Sequence, residues 1–276
     1  MFEVAVRCRQ LGVSRSGYCQ WRQRAASERA RANVALDVRV AALHAGSGRR
    51  YGRPRLVVSL RGQGTPAGHQ RVRQSLLRQG LKPVYKRPYR VTTDSEHDVP
   101  IARNVRERRC DGWQLGQAWV GDIPYLATGE GWLYLACVMD LASRRIVAWS
   151  LSERMKAGLV GEALKSAYGR RQPEPGLIMH TARGSQYASA RHRQLREDYG
   201  MTPSMSRRAN CWDNAAMESL FKTLKVERVD HVRYDTRAQA RLDIVNWIEG
   251  YYHRSRLHSS IGYRSPIDVE RSQMAA

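Results

Sequence analysis

The stretch from Ala118 to Ser150 sets the tightest limit on what this chain can fold into. It holds three short runs of β-forming residues: Ala118–Ile123, Trp132–Asp140 (WLYLACVMD) and Arg144–Ser150 (RRIVAWS), the last two divided by turn residues around Ala142–Ser143. Three strands so close together predict an antiparallel meander. A helix over Arg154–Arg170 follows, with Ser152 as its expected N-cap. Gly176–His180 is a brief buried strand. A helix over Ala190–Tyr199, a strand at Met201–Met205 and a helix over Asp213–Val226 complete the alternation. A last helix, Thr236–Tyr252, carries an apolar stripe of Ala238, Leu242, Val245 and Tyr252. Strands followed by alternating helices and strands predict an α/β fold, a mixed five-stranded sheet with helices on both faces.

The first part of the chain reads differently. Phe2–Leu11 and Arg15–Arg24 flank a turn at Gly12–Ser14, with Ser14 as N-cap, a pattern resembling a helix-turn-helix. Ala32–His44, Arg53–Arg61 and His69–Gln79 follow as helices, the last with Val72, Leu76 and Leu77 at helical spacing. Residues 82–112 contain Pro83, Pro88 and Pro100 among many arginines and show little periodicity. The expected organisation is a helical region (1–81), a basic linker (82–112) and an α/β core with its C-terminal helix (113–276).

Charge narrows the partners. The 276 residues carry 47 Lys and Arg against 25 Asp and Glu, a net charge of +22. Residues 1–117 hold 24 basic and 8 acidic side chains, and only six of all the basic residues are lysine. Arginine's planar fork suits phosphate oxygens, so this excess points to a polyanion, with Arg49, Arg50, Arg53 and Arg55 around YGRPR as phosphate candidates. The longest apolar runs are about eight residues, too short to span a bilayer, and no secretory signal is evident. Five scattered cysteines without CxxC spacing argue against a zinc site or disulfide framework. The expectation is a cytoplasmic protein with no membrane partner.

Two carboxylates stand out. Asp122 ends a strand among Trp119, Val120 and Ile123. Glu218 lies in NCWDNAAMESLFKTLK, where Met217, Leu220, Phe221 and Leu224 form the core stripe. Asn214, Glu218, Lys222 and Lys225 should project along the flank of that helix. A carboxylate beside two lysines on a core-packed helix suits a metal ligand flanked by phosphate anchors, as well as ordinary i,i+4 support.

The segments SRSGYCQW, YGRPR, WVGDIPYLATGEGWLYLACVMDLASRRIVAWS, HTARGSQYAS, MSRRANCWDNAAMESLFKTLKVE and HSSIGYRSP span almost the whole chain. Together they resemble the OrfB-type transposases of the IS-three family of bacterial insertion sequences. That resemblance implies a helical DNA-binding region followed by a ribonuclease-H-like integrase core whose Asp-Asp-Glu triad holds divalent metal. Asp122 matches the first Asp and Glu218 the Glu. The second Asp is missing: the pattern His-Ser/Thr-Asp-Arg-Gly-Ser-Gln-Tyr reads here His180-Thr181-Ala182-Arg183-Gly184-Ser185-Gln186-Tyr187, with 35 residues between Ala182 and Glu218. An exchange made to trap a DNA complex, favoured by the otherwise intact motif, and natural decay of the element both account for Ala182. Pro124, where Thr is usual, is a smaller departure.

The resemblance implies Mg2+ or Mn2+, with two metals in an intact triad. Its DNA substrates would be the element's terminal inverted repeats and target DNA. Arg183, Asn214, Lys222 and Lys225 are expected at DNA. It also implies at least a homodimer and a possible upstream OrfA product as partner. The expected activity is metal-dependent DNA cleavage and strand transfer, impaired by Ala182. A catalytically dead DNA-binding regulator of transposition and a structure-selective nuclease are the alternatives.

Overall fold

The computed structural model describes residues 4–84, 101–107, 109–207 and 211–275. Phe2 and residues 85–100 of the basic stretch lie outside that range. The chain divides into two compact units, residues 1–83 and 84–276.

The first unit is helical. α1 (Val4–Gln10) and α2 (Arg15–Gln23) flank the expected turn, and the Ser14 hydroxyl accepts from the Gly17 N–H at 3.1 Å as N-cap. No residue of α2 is buried. The core of the unit comes instead from α3 (Glu28–Gly46), α4 (Arg53–Gly62) and α5 (His69–Arg78), which bury Leu36, Val40, Leu56, Val57, Leu60, Val72 and Leu76. Leu77, expected beside Val72 and Leu76, is 60% exposed. The Arg78 guanidinium spans to α3 and donates two hydrogen bonds to Asp37, at 2.7 and 3.0 Å.

The second unit is built on one mixed sheet. Its strands are β1 (Ala118–Asp122), β2 (Tyr125–Thr128), β3 (Gly131–Asp140), β4 (Ile146–Ser152), β5 (Ile178–Thr181) and β6 (Thr202–Met205). The order is β2–β3–β1–β5–β6, with β4 also on β3. β1 and β2 lie antiparallel to the same strand, β1 opposite residues 137–140 and β2 opposite 131–134. They are two pieces of one rail interrupted at Ile123–Pro124, which corrects the five expected strands to six. A proline removes a ladder donor, but the Pro124 carbonyl still accepts from Leu135 N–H at 3.0 Å. β1, β5 and β6 run parallel.

The apolar run of β3 serves both faces. Leu133, Leu135, Cys137 and Met139 join Ala118, Val120 and Leu126 under α9 (Ala215–Glu227) and α10 (Arg237–Asn246). Ala136 and Val138 join Trp119 and Met179 under α6 (Ala157–Arg171). α7 (Ser185–Ala188) and α8 (Ala190–Asp198) follow β5.

Three expectations need correction. α6 starts at Ala157, capped by Lys156, because the β3–β4 ladder runs on to pair Tyr134 with Ser152 and keeps that serine in the sheet. The buried stripe after α9 is Ala240, Ile244, Trp247, Ile248 and Tyr252; Ala238 and Leu242 face solvent, Leu242 at 76% exposure. The helix also widens into a π-helical turn at Trp247–Tyr252, and a further helix, α11 (Pro266–Met274), closes the chain. Of the stretch read as linker, Ala102 and Val105 donate backbone N–H groups to Met205 Sδ and Ser204 Oγ of β6.

His192 on α8 gives the fold a testable acid sensitivity. It is 1% exposed and stands edge-on to Tyr187 at 5.3 Å. Burial, then the charge of Arg196, lowers its pKa to about 4. The unfolded chain protonates this imidazole below the ordinary value of about 6.5 while the folded chain does not. Its contribution to stability is therefore lost as pH falls from there to about 4, by about 1.4 kcal/mol per pH unit. His192→Phe should flatten the acid limb of a urea-unfolding stability profile by that slope; an unchanged limb would refute the assignment.

Candidate active site

Asp122 is the last residue of β1, and Gly121 pairs with Thr181, the last residue of the parallel neighbour β5. The next residues along each strand, Asp122 and Ala182, therefore leave the sheet side by side at its carboxyl end. Strand alternation sets Asp122 on the side of Ala118 and Val120, the side that α9 covers. α9 is held there by buried Met217, Leu220, Phe221 and Leu224, as expected from its sequence. That packing carries Glu218, half-buried, to the same end. Gly121 permits the close approach of the neighbouring layer: a Cβ there would lie 2.8 Å from the Met179 terminal methyl and 3.4 Å from the Tyr187 hydroxyl.

The two carboxylates sense each other. Burial raises the Asp122 pKa to about 6, with a further rise from the Glu218 charge; the Ile123 N–H, donating to Asp122 Oδ1 at 2.8 Å, and the Lys225 charge oppose it. Glu218 is also raised, chiefly by desolvation, with Lys222 opposing. The Cys137 thiol and Tyr187 hydroxyl are pushed up by burial and then by Asp122. Ala182, next to Asp122 at the end of the neighbouring strand, is half-buried and offers only a methyl.

This donor set can be weighed against a hard divalent cation, which takes oxygen ligands. Asp122 and Glu218 provide two carboxylates, and neither forms a salt bridge among the described residues. No group of three or more His, Cys, Asp or Glu converges to hold an ion among the described residues. The fit is thus to two ligands, one short of a triad.

The remaining expected residues distribute unevenly. Lys222 is exposed and Lys225 half-buried on α9, flanking Glu218. Arg183 follows Ala182 and is half-buried. Asn214 is not on an exposed flank: it is 5% exposed, in a 3-10 turn ahead of α9, and its Nδ2 donates to the Gly121 carbonyl at 3.4 Å. Its neighbour Asp213 is fully buried and receives the Arg207 backbone N–H and both arms of its guanidinium at 2.8–2.9 Å. His180 is likewise structural, bonded to the Ser204 and Ser206 hydroxyls at 2.8 and 3.1 Å. In the helical unit, Arg49 and Arg53 are exposed and Arg50 and Arg55 half-buried, with Arg55 5.4 Å from the Tyr51 ring centre. Sequence reasoning passed over the exposed Tyr125 and Trp132; their only signal was an aromatic at each end of the β2–β3 hairpin.

Known proteins resemble this chain in sequence along nearly its whole length. Transposase InsF for insertion sequence IS3A from Escherichia coli K12 is 40% identical over 276 residues, covering 99% of this chain and 96% of that one. The chain belongs to the IS3 family of transposases. An uncharacterized 31 kDa protein of insertion element IS600 from Shigella sonnei is 39% identical over 271 residues, 98% of this IS3-family chain and all of the relative. Integrase core domain families match residues 114–211 and 199–266, and an HTH-like domain matches 31–89. The HTH-like match thus lies on the α3–α5 core of the helical unit and not on the α1–α2 pair singled out by its turn. Among solved structures, the HTLV-2 integrase catalytic core in complex with magnesium aligns at 12% identity and a TM-score of 0.43, over 58% of this chain and 99% of that one. No helix of this transposase is long and apolar enough to cross a membrane among the described residues.

Proposed function

We propose that this IS3-family chain binds the terminal inverted repeats of its element and carries the machinery for metal-dependent cleavage and strand transfer, disabled by Ala182. The observation that supports this reading is the β1–β5 register, which brings Asp122 and Ala182 out side by side, with Glu218 near enough on α9 for its charge to act on Asp122. Asp122 and Glu218 would hold magnesium or manganese. When bound, the ion offsets phosphodiester charge and activates the attacking oxygen. Asp122, with its pKa near 6, is ionised at neutral pH and available as a ligand. Lys222, Lys225 and Arg183 would hold flanking phosphates, and Arg49, Arg50, Arg53 and Arg55 would hold phosphates on the helical unit. Two ends must be joined, so the working form is at least a dimer, with an upstream OrfA product as candidate partner, acting in the cytoplasm.

Binding without cutting is the expected behaviour of the chain as it stands. Its affinity for element-end DNA should fall steeply with salt, since each neutralised phosphate contributes about −0.9 to the slope of log K against log salt. Lys222→Ala should weaken binding for all sequences alike and reduce that slope by about one contact. A gel-shift series across salt concentrations checks this; an unchanged slope would remove Lys222 from the interface. Ala182 alone favours a second reading, a binding-only regulator of transposition. Strand transfer into a target plasmid by the Ala182→Asp chain separates the two, and cutting without joining would indicate a nuclease.

A further inference from the structure

Past Asp122, on the other face of the sheet, lies an aromatic surface that the metal chemistry leaves unused. Tyr125 opens β2 three residues after Asp122, and Trp132 stands on β3 across from Ala127. Their rings meet edge to face, 5.0 Å apart at 83°, yet Trp132 is 50% and Tyr125 37% exposed. Their neighbours Leu126 and Leu133 are buried on the α9 side, so alternation turns Tyr125 and Trp132 to the opposite side of the hairpin. β2 pairs only with β3 among the described strands, which leaves its outer edge open. Lys225 reaches across that edge: its ammonium is 5.4 Å from the Tyr125 ring centre, and its charge also acts on Asp122. One cation thus links the ring pair to the carboxylate site.

We propose that Tyr125 and Trp132 form a stacking platform for an unpaired nucleobase of the strand whose phosphate lies at Asp122 and Glu218. The proposal rests on the DNA-processing reading of that site. Every base offers a π-face to an aromatic ring, so such a platform is indifferent to sequence, and a nearby cation adds attraction. Two rings are far too small a patch for a stable protein interface, which needs roughly 800 Å2 on each partner. They are large enough for one base. The platform would hold a frayed end away from the duplex and keep the adjoining phosphate in place.

The test compares two probes on the full chain: a fully paired short duplex, and the same duplex ending in a few unpaired nucleotides with 2-aminopurine at each in turn. The chain should bind the frayed probe more tightly and change 2-aminopurine fluorescence at one position. Trp132→Ala should lose that optical change and weaken frayed-end binding by about tenfold, with paired-duplex binding unaltered as the folding control. Trp132→Phe should retain both. Equal loss on the two probes, an unmoved fluorescence response, or a change of oligomeric state in place of these effects would overturn the platform. Failure of the parent chain to bind either probe would overturn the DNA-processing reading with it.

Discussion

With aspartate restored at position 182, the chain should nick terminal-repeat DNA in magnesium about a thousandfold faster than it does with alanine. That factor corresponds to about 4 kcal/mol of transition-state stabilisation, the scale of a well-placed metal ion. The geometry supports so large a return from one side chain. β1 and β5 are parallel and in register through Gly121 and Thr181, so a carboxylate at 182 would emerge beside that of Asp122. Ala182 is only half-buried, so the added charge is not driven into a dry interior. Without metal, a third carboxylate would raise the proton affinity of the other two, already raised by burial. The restored chain should therefore bind magnesium in competition with protons, and its nicking should fall as pH drops. Ala182→Asn, similar in shape but uncharged, should restore little. Labelled DNA on a denaturing gel across a magnesium titration measures this. Equal nicking by the alanine and aspartate chains would show that position 182 has no part in the reaction.

Much of this site was legible because its parts are local in sequence. Asp122 is marked by being the one acid in an apolar strand, and Glu218 by a helix whose core stripe is unambiguous. Ala182 was marked by the resemblance of HTARGSQY to the family motif, with the interval to Glu218 in support. What escaped was the set by the packing of two layers at once. Asn214 looked exposed because it shares a helical phase with Glu218, yet the 3-10 turn ahead of α9 takes it out of that phase and turns it to Gly121. In α10 both sides of the helix carry apolar residues, Ala238 and Leu242 on one and Ala240 and Ile244 on the other; only the sheet decides which is buried. The run WLYLACVM is apolar without a break, which concealed that its even-numbered and odd-numbered positions serve opposite faces and that Trp132 lies past the end of its cover.

Glu270→Ala should destabilise the second unit by about 3 kcal/mol, and the effect should be visible as a lowered urea midpoint with unchanged slope. Glu270 lies on α11, a helix that the sequence pattern does not announce, and is only 4% exposed. Its carboxylate receives Arg145 at 2.5 Å, Arg171 at 2.6 Å and the Ser143 hydroxyl at 3.2 Å. Those partners come from the turn before β4 and the end of α6, so one acid ties the last helix to both layers of the sheet. Removing the acid leaves two guanidinium groups together without their salt-bridge partner, and breaking a buried pair this way costs roughly 3–5 kcal/mol. The lower end applies here because Arg145 and Arg171 remain 32% and 27% exposed, and they border a cavity of about 330 Å3 that admits water. Replacing all three ionic groups by apolar residues of similar volume should recover most of the loss, since a buried ion pair and well-packed hydrophobic side chains are close in free energy. Recovery in the triple variant but not in Glu270→Ala would assign the cost to the stranded arginines. A single variant as stable as the parent would show that α11 is held by Val269 and its apolar neighbours, with the charges contributing nothing.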